Sequence, residues 1–335
     1  MNPIQNRYDF LYLFDAKDCN PNGDPDADNL PRIDMQTEEG LTTDVFVKRR
    51  VRNYVYDTNP LAKRDINQYD IFIRERPFEG EVVTEYLNYY ISNAKGNTPK
   101  ERKQSLINNY YDIRTFGAVL STGGKEDVDD DINNKLIEDG DKSSSKKKGG
   151  SKKKESAGTV RGPVQFTFAR SFDKISQDEH GIIRVAVTTE KEAQSQKKND
   201  REYPSTIGRK STVPYGLYRM YGFVSVSDAI KTNFSEDDLS LLFEALRNWF
   251  DGGSGHSASK GLMHSPNCFI FRHNNALGHE SSKKLFDLVE KKISLKQDKK
   301  FPRDVSDYLI PSLDEVREEL QRLYNDRISL DDRSW

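Results

Sequence analysis

Residues 8 to 14 alternate, with Tyr8, Phe10, Tyr12 and Phe14 on one face and Asp9, Leu11 and Leu13 on the other, the period-two signature of a strand. A stretch rich in Asn, Asp, Pro and Gly from 15 to 43 reads as a long loop. A helix is predicted over 44–56, with Thr43 or Asp44 as N-cap and Val47, Val51, Tyr54 and Val55 on one stripe. Residues 70–74 (DIFIR) read as a strand, and 81–91 and 99–111 as helices rich in Tyr and Leu. Alternation returns at 164–168 (VQFTF) and 182–188 (IIRVAVT), expected to form a hairpin around the polar turn at 177–181.

Residues 190–211 are polar and read as an exposed loop before a strand over 213–226. An amphipathic helix follows over 235–250, where Ser235 caps and Asp238 begins a capping-box pattern. A strand at 268–271 and helices over 282–291 and 313–324 complete the chain. Strands interleaved with helices, with hairpins between, predict an α+β domain with an antiparallel, ferredoxin-like sheet. The segment 121–158 departs from this, with almost no aromatic or branched apolar residues, an acidic block and two lysine triplets; it reads as a disordered insertion into a single domain spanning 1–335.

Length and composition add limits. A chain of 335 residues buries a core without staples, and Cys19 and Cys268, far apart and outside any C-x-x-C spacing, point to a reducing compartment and away from structural zinc. The N-terminal apolar run is too short to span a bilayer, so a cytoplasmic protein without membrane contact is expected. The net charge is −2. Any nucleic-acid site must therefore be a local basic groove.

Asp18, Asn20, Asn22, Gly23, Asp24 and Asp26 fall at positions 1, 3, 5, 6, 7 and 9 of a calcium-binding EF-hand loop, but Asn29 stands where the bidentate Glu belongs, and Pro21 and Pro25 stiffen the interior. Asp24 and Asp26 equally suit magnesium-dependent phosphodiester cleavage or a series of Asx turns. In the helix TDVFVKRRVRNYV, Lys48 and Arg52 lie four apart on one ridge with Arg49 beside them. Like charges so spaced repel, and phosphates along the ridge would relieve that. Arg114 with Phe116, and Arg209 and Lys210 with Tyr215 and Arg219, interleave cations with aromatics as phosphate contact plus base stacking requires. The run Gly252-Gly253-Ser254-Gly255 lacks a phosphate-loop ending, and the five histidines show no metal-ligand spacing. No cofactor or metal is expected.

The ordered series YDFLYLFDAKDCNPNGDPDADNLPRID, TDVFVKRRVRNYV, IRTFGAV, RGPVQFTFARS and GRKSTVPYGLYRMYGF closely resembles the type I-C Cascade backbone subunit family of CRISPR systems. The resemblance spans most of the chain and lapses at 121–158. It implies an RNA-recognition-motif-like palm, helical fingers at 76–120 and a thumb loop at 190–211, in a non-catalytic scaffold whose copies polymerise along crRNA. It also implies a target DNA strand and the crRNA-processing, large and small Cascade subunits as partners. On this chain it would set Lys48, Arg49, Arg52 and Arg114 in the palm groove, Gly208, Arg209 and Lys210 in the thumb, and Asn20, Asn22 and Arg32 on ribose or backbone. Related subunits of type III complexes cleave target RNA with a loop aspartate, so a ribonuclease using Asp24 or Asp26 is the second reading.

Overall fold

The first strand forms where the alternation predicts it and runs on past Phe14, as β1 (Tyr8–Cys19) in a computed structural model. The structure describes residues 2–76, 86–120, 158–198, 206–251, 257, 260 and 262–335. Along the chain, β2 (Gly23–Asp24), β3 (Leu30–Pro31) and β4 (Glu39–Thr42) precede α1 (Asp44–Thr58). Then come α2 (Ile66–Tyr69), α3 (Leu87–Asn93), α4 (Pro99–Asn109), α5 (Tyr111–Phe116), β5 (Gly117–Val119) and β6 (Thr159–Arg161). They are followed by β7 (Val164–Phe166), β8 (Ala169–Lys174), β9 (Asp178–Arg184), α6 (Glu190–Lys198) and β10 (Thr206–Val224). The chain continues with α7 (Val226–Thr232), α8 (Glu236–Asn248), β11 (Leu262–His273), α9 (Ser282–Glu290) and β12 (Ser294–Leu295). It ends with β13 (Tyr308–Leu309), α10 (Leu313–Tyr324) and β14 (Ile328–Leu330). The expected insertion at 121–158 lies, apart from Gly158, outside the described residues, as do the start of the expected helix at 81–91 and Gly252 to Gly255. Among the described residues no helix is long and apolar enough to cross a membrane.

The chain divides into two compact units. The larger, Gln5–Asp57 with Gln165–Val224 and Ser240–Trp335, holds the antiparallel sheet, in the order β14-β11-β1-β10-β8-β4. β1 is central and buried on both faces. Leu11 and Leu13 join Phe269, Phe271, Leu285, Phe286, Val289, Val316 and Leu320 in a core under α9 and α10. On the other face Phe10 meets Phe166 and Phe243 edge-on at 5.9 and 5.2 Å, and Tyr12 Oη donates to Leu246 O at 2.7 Å. Phe10 also presses on Gly222 across the β1–β10 ladder, where any Cβ would lie 2.0 Å from its ring. That position tolerates no side chain.

The predicted hairpin of 164–168 with 182–188 does not form. Instead β8 enters the sheet between β10 and β4, and β9 pairs with the first part of β10, Ile183 opposite Ile207 and Lys210 opposite His180. The expected loop at 190–211 thus contains α6 and one arm of an exposed β-ribbon. Two alternating runs cannot declare which third run each will choose. Likewise the loop expected at 15–43 carries the end of β1, the β2–β3 hairpin and β4.

The second unit comprises Met1–Ile4, Thr58–Val164 and Ser225–Leu239. Phe72, Ile91, Leu106, Ile107, Ile113, Leu120 and Val160 form its core. The strand expected at 70–74 is absent because the buried Asp112 carboxylate accepts from Phe72 N and Ile73 N at 2.8 and 3.0 Å, taking the donors a neighbouring strand would need. The helix expected over 99–111 breaks at Tyr110, where Tyr111 N turns to Asp70 O at 2.9 Å, and resumes as α5.

Candidate nucleic-acid interface

The loop between β1 and α1 is bolted to the helix by its amides. Asn22 Oδ1 accepts from Thr43 N at 2.9 Å and Thr43 Oγ1 at 3.2 Å, and Thr43 Oγ1 in turn accepts from Phe46 N at 3.2 Å, capping α1. Asn20, buried, donates Nδ2 to Asn29 O at 2.6 Å. Arg32 Nη1 meets Asp24 Oδ2 at 3.0 Å, while Asp24 Oδ1 accepts from Asp26 N at 3.2 Å. The turn-forming role accounts for Asp24: its carboxylate and backbone carbonyl close the hairpin, the latter accepting from Ala27 N and Asn29 N. Among the described residues, no group of three or more His, Cys, Asp or Glu is arranged to hold a metal.

On α1 the apolar stripe is as predicted, with Val47, Val51 and Val55 buried. The basic ridge is not: Arg52 is buried beside that stripe, and Lys48 is held by Asp44 at 2.9 Å, an i,i+4 pair. Arg49 remains exposed. Arg50, passed over in the sequence reading, lies over the Phe46 ring at 5.1 Å and the Trp249 ring at 5.6 Å. Lys260 Nζ reaches the same Phe46 ring at 4.7 Å and donates to Asn20 O and Pro21 O at 3.0 and 2.9 Å. Burial, then the neighbouring Arg50 charge, pull Lys260 down to about 8, and burial followed by Arg49 lowers Arg50. The sequence signal that could have found Arg50 on its ring is Phe46 four residues before it, whereas nothing local marks Lys260.

Three expected contacts are structural instead. Arg114 is 2% exposed, its Nε and Nη2 on Asp238 at 2.9 and 2.8 Å. Phe116, beside it on α5, is also buried. Tyr215 is buried in the sheet core, its hydroxyl donating to Asp15 Oδ2 at 3.1 Å, with burial and then Asp15 driving the phenol far above its usual range. Cations interleaved with aromatics here reflect core packing, which chain spacing alone does not separate from base stacking. Arg219 is likewise engaged, its Nε on Glu290 at 2.9 Å.

Gly208, Arg209 and Lys210 sit on the β9–β10 ribbon, apart from the α1 cluster along the chain, and Arg209 pairs in the open with Glu179 at 3.0 Å. His273 is buried on Asp9 at 2.9 Å and His180 meets Thr212 Oγ1 at 2.9 Å, both as satisfied histidines. What gathers around α1 is therefore a capped helix start, an amide-rich hairpin, and the cations Arg49, Arg50 and Lys260. Cations and amide donors grouped in this way are chemically complementary to phosphates.

A sequence model of the family described as "CRISPR-associated protein Cas7" matches residues 6–312. The protein "CRISPR-associated protein Cas7" of Haloferax volcanii is 25% identical over 251 residues, covering 72% of this chain and 65% of that relative. The chain thus spans about two thirds of that relative's length. Among solved structures, a chain of a "CRISPR RNA-guided surveillance complex, pre-nicking" is similar at a TM-score of 0.48 and 13% identity, with 97% of this chain and 93% of that one covered. A chain of a "CRISPR RNA-guided surveillance complex" is similar at 0.48 and 12%, with 97% and 90% covered.

Proposed function

This chain belongs to the CRISPR-associated Cas7 family, and on that premise we propose that it is a non-catalytic, crRNA-binding backbone subunit of a type I-C Cascade surveillance complex. Several copies coat one guide in the cytoplasm, leaving its bases to select a target DNA strand by pairing. The crRNA-processing, large and small subunits are its further partners. The observation that carries this reading is the family match over 6–312.

The strand order supports a ferredoxin-like, RNA-recognition-motif-like palm. Taking β1, β8, β10 and β11 as first to fourth, the sheet reads fourth, first, third, second, all antiparallel, with helices in the connections from first to second and from third to fourth. In this reading 76–120 forms the fingers and the β9–β10 ribbon with α6 the thumb, carrying Gly208, Arg209 and Lys210. Asn20, Asn22, Arg32, Lys48 and Arg49 line the guide; Lys48 gives up Asp44, and Arg32 gives up Asp24, when phosphates offer a stronger partner.

A nuclease-protection assay tests coating against cleavage. Labelled single-stranded RNA incubated with the full-length protein and magnesium is expected to stay intact and to become shielded from an added ribonuclease. Cutting by the wild type that disappears in Asp24→Asn or Asp26→Asn would replace the scaffold with the ribonuclease.

A further inference from the structure

We propose that a polar cavity within the smaller unit is a binding site for a primary ammonium group, carried by a free aliphatic diamine or by a lysine side chain of a partner. The cavity has a volume of about 530 Å³, in the range of small-ligand sites, and lies among the α2 turn, the last residues of α4 and the end of α7. Its lining consists of Asp65, the buried Arg114 and five residues with side-chain amides. With no hydrocarbon side chain there, it offers hydrogen bonds and charge rather than apolar burial.

The sign of the ligand follows from which of these groups are already engaged. Asp65 Oδ1 accepts from Asn67 N and Nδ2 at 2.9 and 3.0 Å, and its Oδ2 accepts from Gln68 Nε2 at 3.3 Å. Both amides thus turn their donors to the carboxylate. Among the described residues Asn67 Oδ1 and Gln68 Oε1 accept from no donor, the Asn109 and Asn233 side chains have no partner, and Asp65 pairs with no cation. Arg114 does not supply that cation. Its Nε and Nη2 are on Asp238, and its remaining N–H groups reach Ile107 O, Asn108 O and Gln68 O. With all five donors of the guanidinium taken and its charge matched, nothing in the lining is left to hold an anion. One unmatched carboxylate and a surplus of amide oxygens remain. A primary ammonium answers both, bringing three N–H donors and the opposite charge.

The acceptors are held on fixed turns. Asp65 caps α2, Asn109 is the last residue of α4, and Asn233 is the left-handed C-cap of α7 at φ 56°, its backbone N–H on Ala229 O. The C-terminal end of α4 adds partial negative charge, which also favours a cation.

Calorimetry on RNA-free, full-length protein at pH 7 tests the site with putrescine, with Nα-acetyl-lysine amide, and with magnesium, which has the charge of protonated putrescine. Wild type is compared with Asp65→Asn, which keeps an N-cap but removes the charge, and with Asn233→Gly, which keeps the left-handed turn but removes the amide. Thermal melts report folding, and because the two positions lie on separate turns, either variant decides if the other fails to fold. Saturable binding of an amine is expected, weakened about tenfold by Asp65→Asn, the share of one charge-assisted hydrogen bond, and less by Asn233→Gly. Binding of putrescine alone assigns the site to a free diamine, and binding of the lysine amide assigns it to a partner's lysine. No saturable binding of either amine, equal affinity in the folded variants, or displacement of the amine by magnesium at equal concentration would overturn the proposal.

Discussion

Arg114→Met is expected to destabilise the protein by about 3–5 kcal/mol, the range for removing one partner of a buried ion pair. Within the smaller unit the guanidinium holds Asp238 through Nε and Nη2 at 2.9 and 2.8 Å. It also donates to Ile107 O and Asn108 O through Nη1 and to Gln68 O through Nη2. Asp238, fully buried, would be left with the Ser235 backbone N–H and hydroxyl, at 2.9 and 3.2 Å. That carboxylate caps α8 as well, so its uncompensated charge weakens a helix start together with the pair. Urea unfolding measures the loss, and a change under about 0.5 kcal/mol would contradict it. Arg114→Met with Asp238→Leu should recover part of the loss, because replacing both partners with apolar groups removes the stranded charge. RNA affinity per folded molecule should be unchanged, which separates this role from the phosphate contact that the sequence suggested.

In the sheet-bearing unit the corresponding weak point is Asp9, for which Asp9→Ala is expected to lose about 3 kcal/mol as charge-assisted hydrogen bonds vanish around buried donors. Its carboxylate, fully buried at the start of β1, accepts from Arg7 Nη2 at 2.9 Å, His273 Nε2 at 2.9 Å and Ser282 Oγ at 3.2 Å. His273 Nδ1 accepts from His279 N at 3.0 Å, so the ring proton sits on Nε2 and points at Asp9. Removing the carboxylate strands that N–H and the guanidinium at once and loosens β11 and α9 from β1. Hydrogen exchange of the β11 amides reads the loosening directly. Protection equal to wild type would contradict the account.

Much of this architecture was legible because local and tertiary demands agreed. The helix over 313–324 appeared with those bounds, and its Ser312 hydroxyl and Glu315 carboxylate form a capping box. Ser235 and Asp238 did the same for α8. Legibility failed where a polar side chain found a remote partner. Asp15 seemed to end β1, yet Tyr215 satisfies it and the strand continues. Asp112 captured the backbone of 72 and 73 and dissolved an apparent strand. Arg52 and Arg114 read as solvent-facing cations and are buried. For the candidate interface, the family resemblance directed attention to α1 and its preceding loop, whereas the pairing of Lys260 with Arg50 joins positions far apart in sequence and has no linear signature.

The central claim, that copies of this chain coat a single RNA through charge, is tested most directly by native mass spectrometry. Full-length protein freed of copurified nucleic acid would be titrated onto single-stranded RNAs of increasing length across a salt series. The account predicts that several copies load on one strand, that their number grows with RNA length, and that affinity falls linearly on log–log axes as salt rises. Absence of binding at low salt, or one copy per RNA whatever its length, would contradict it.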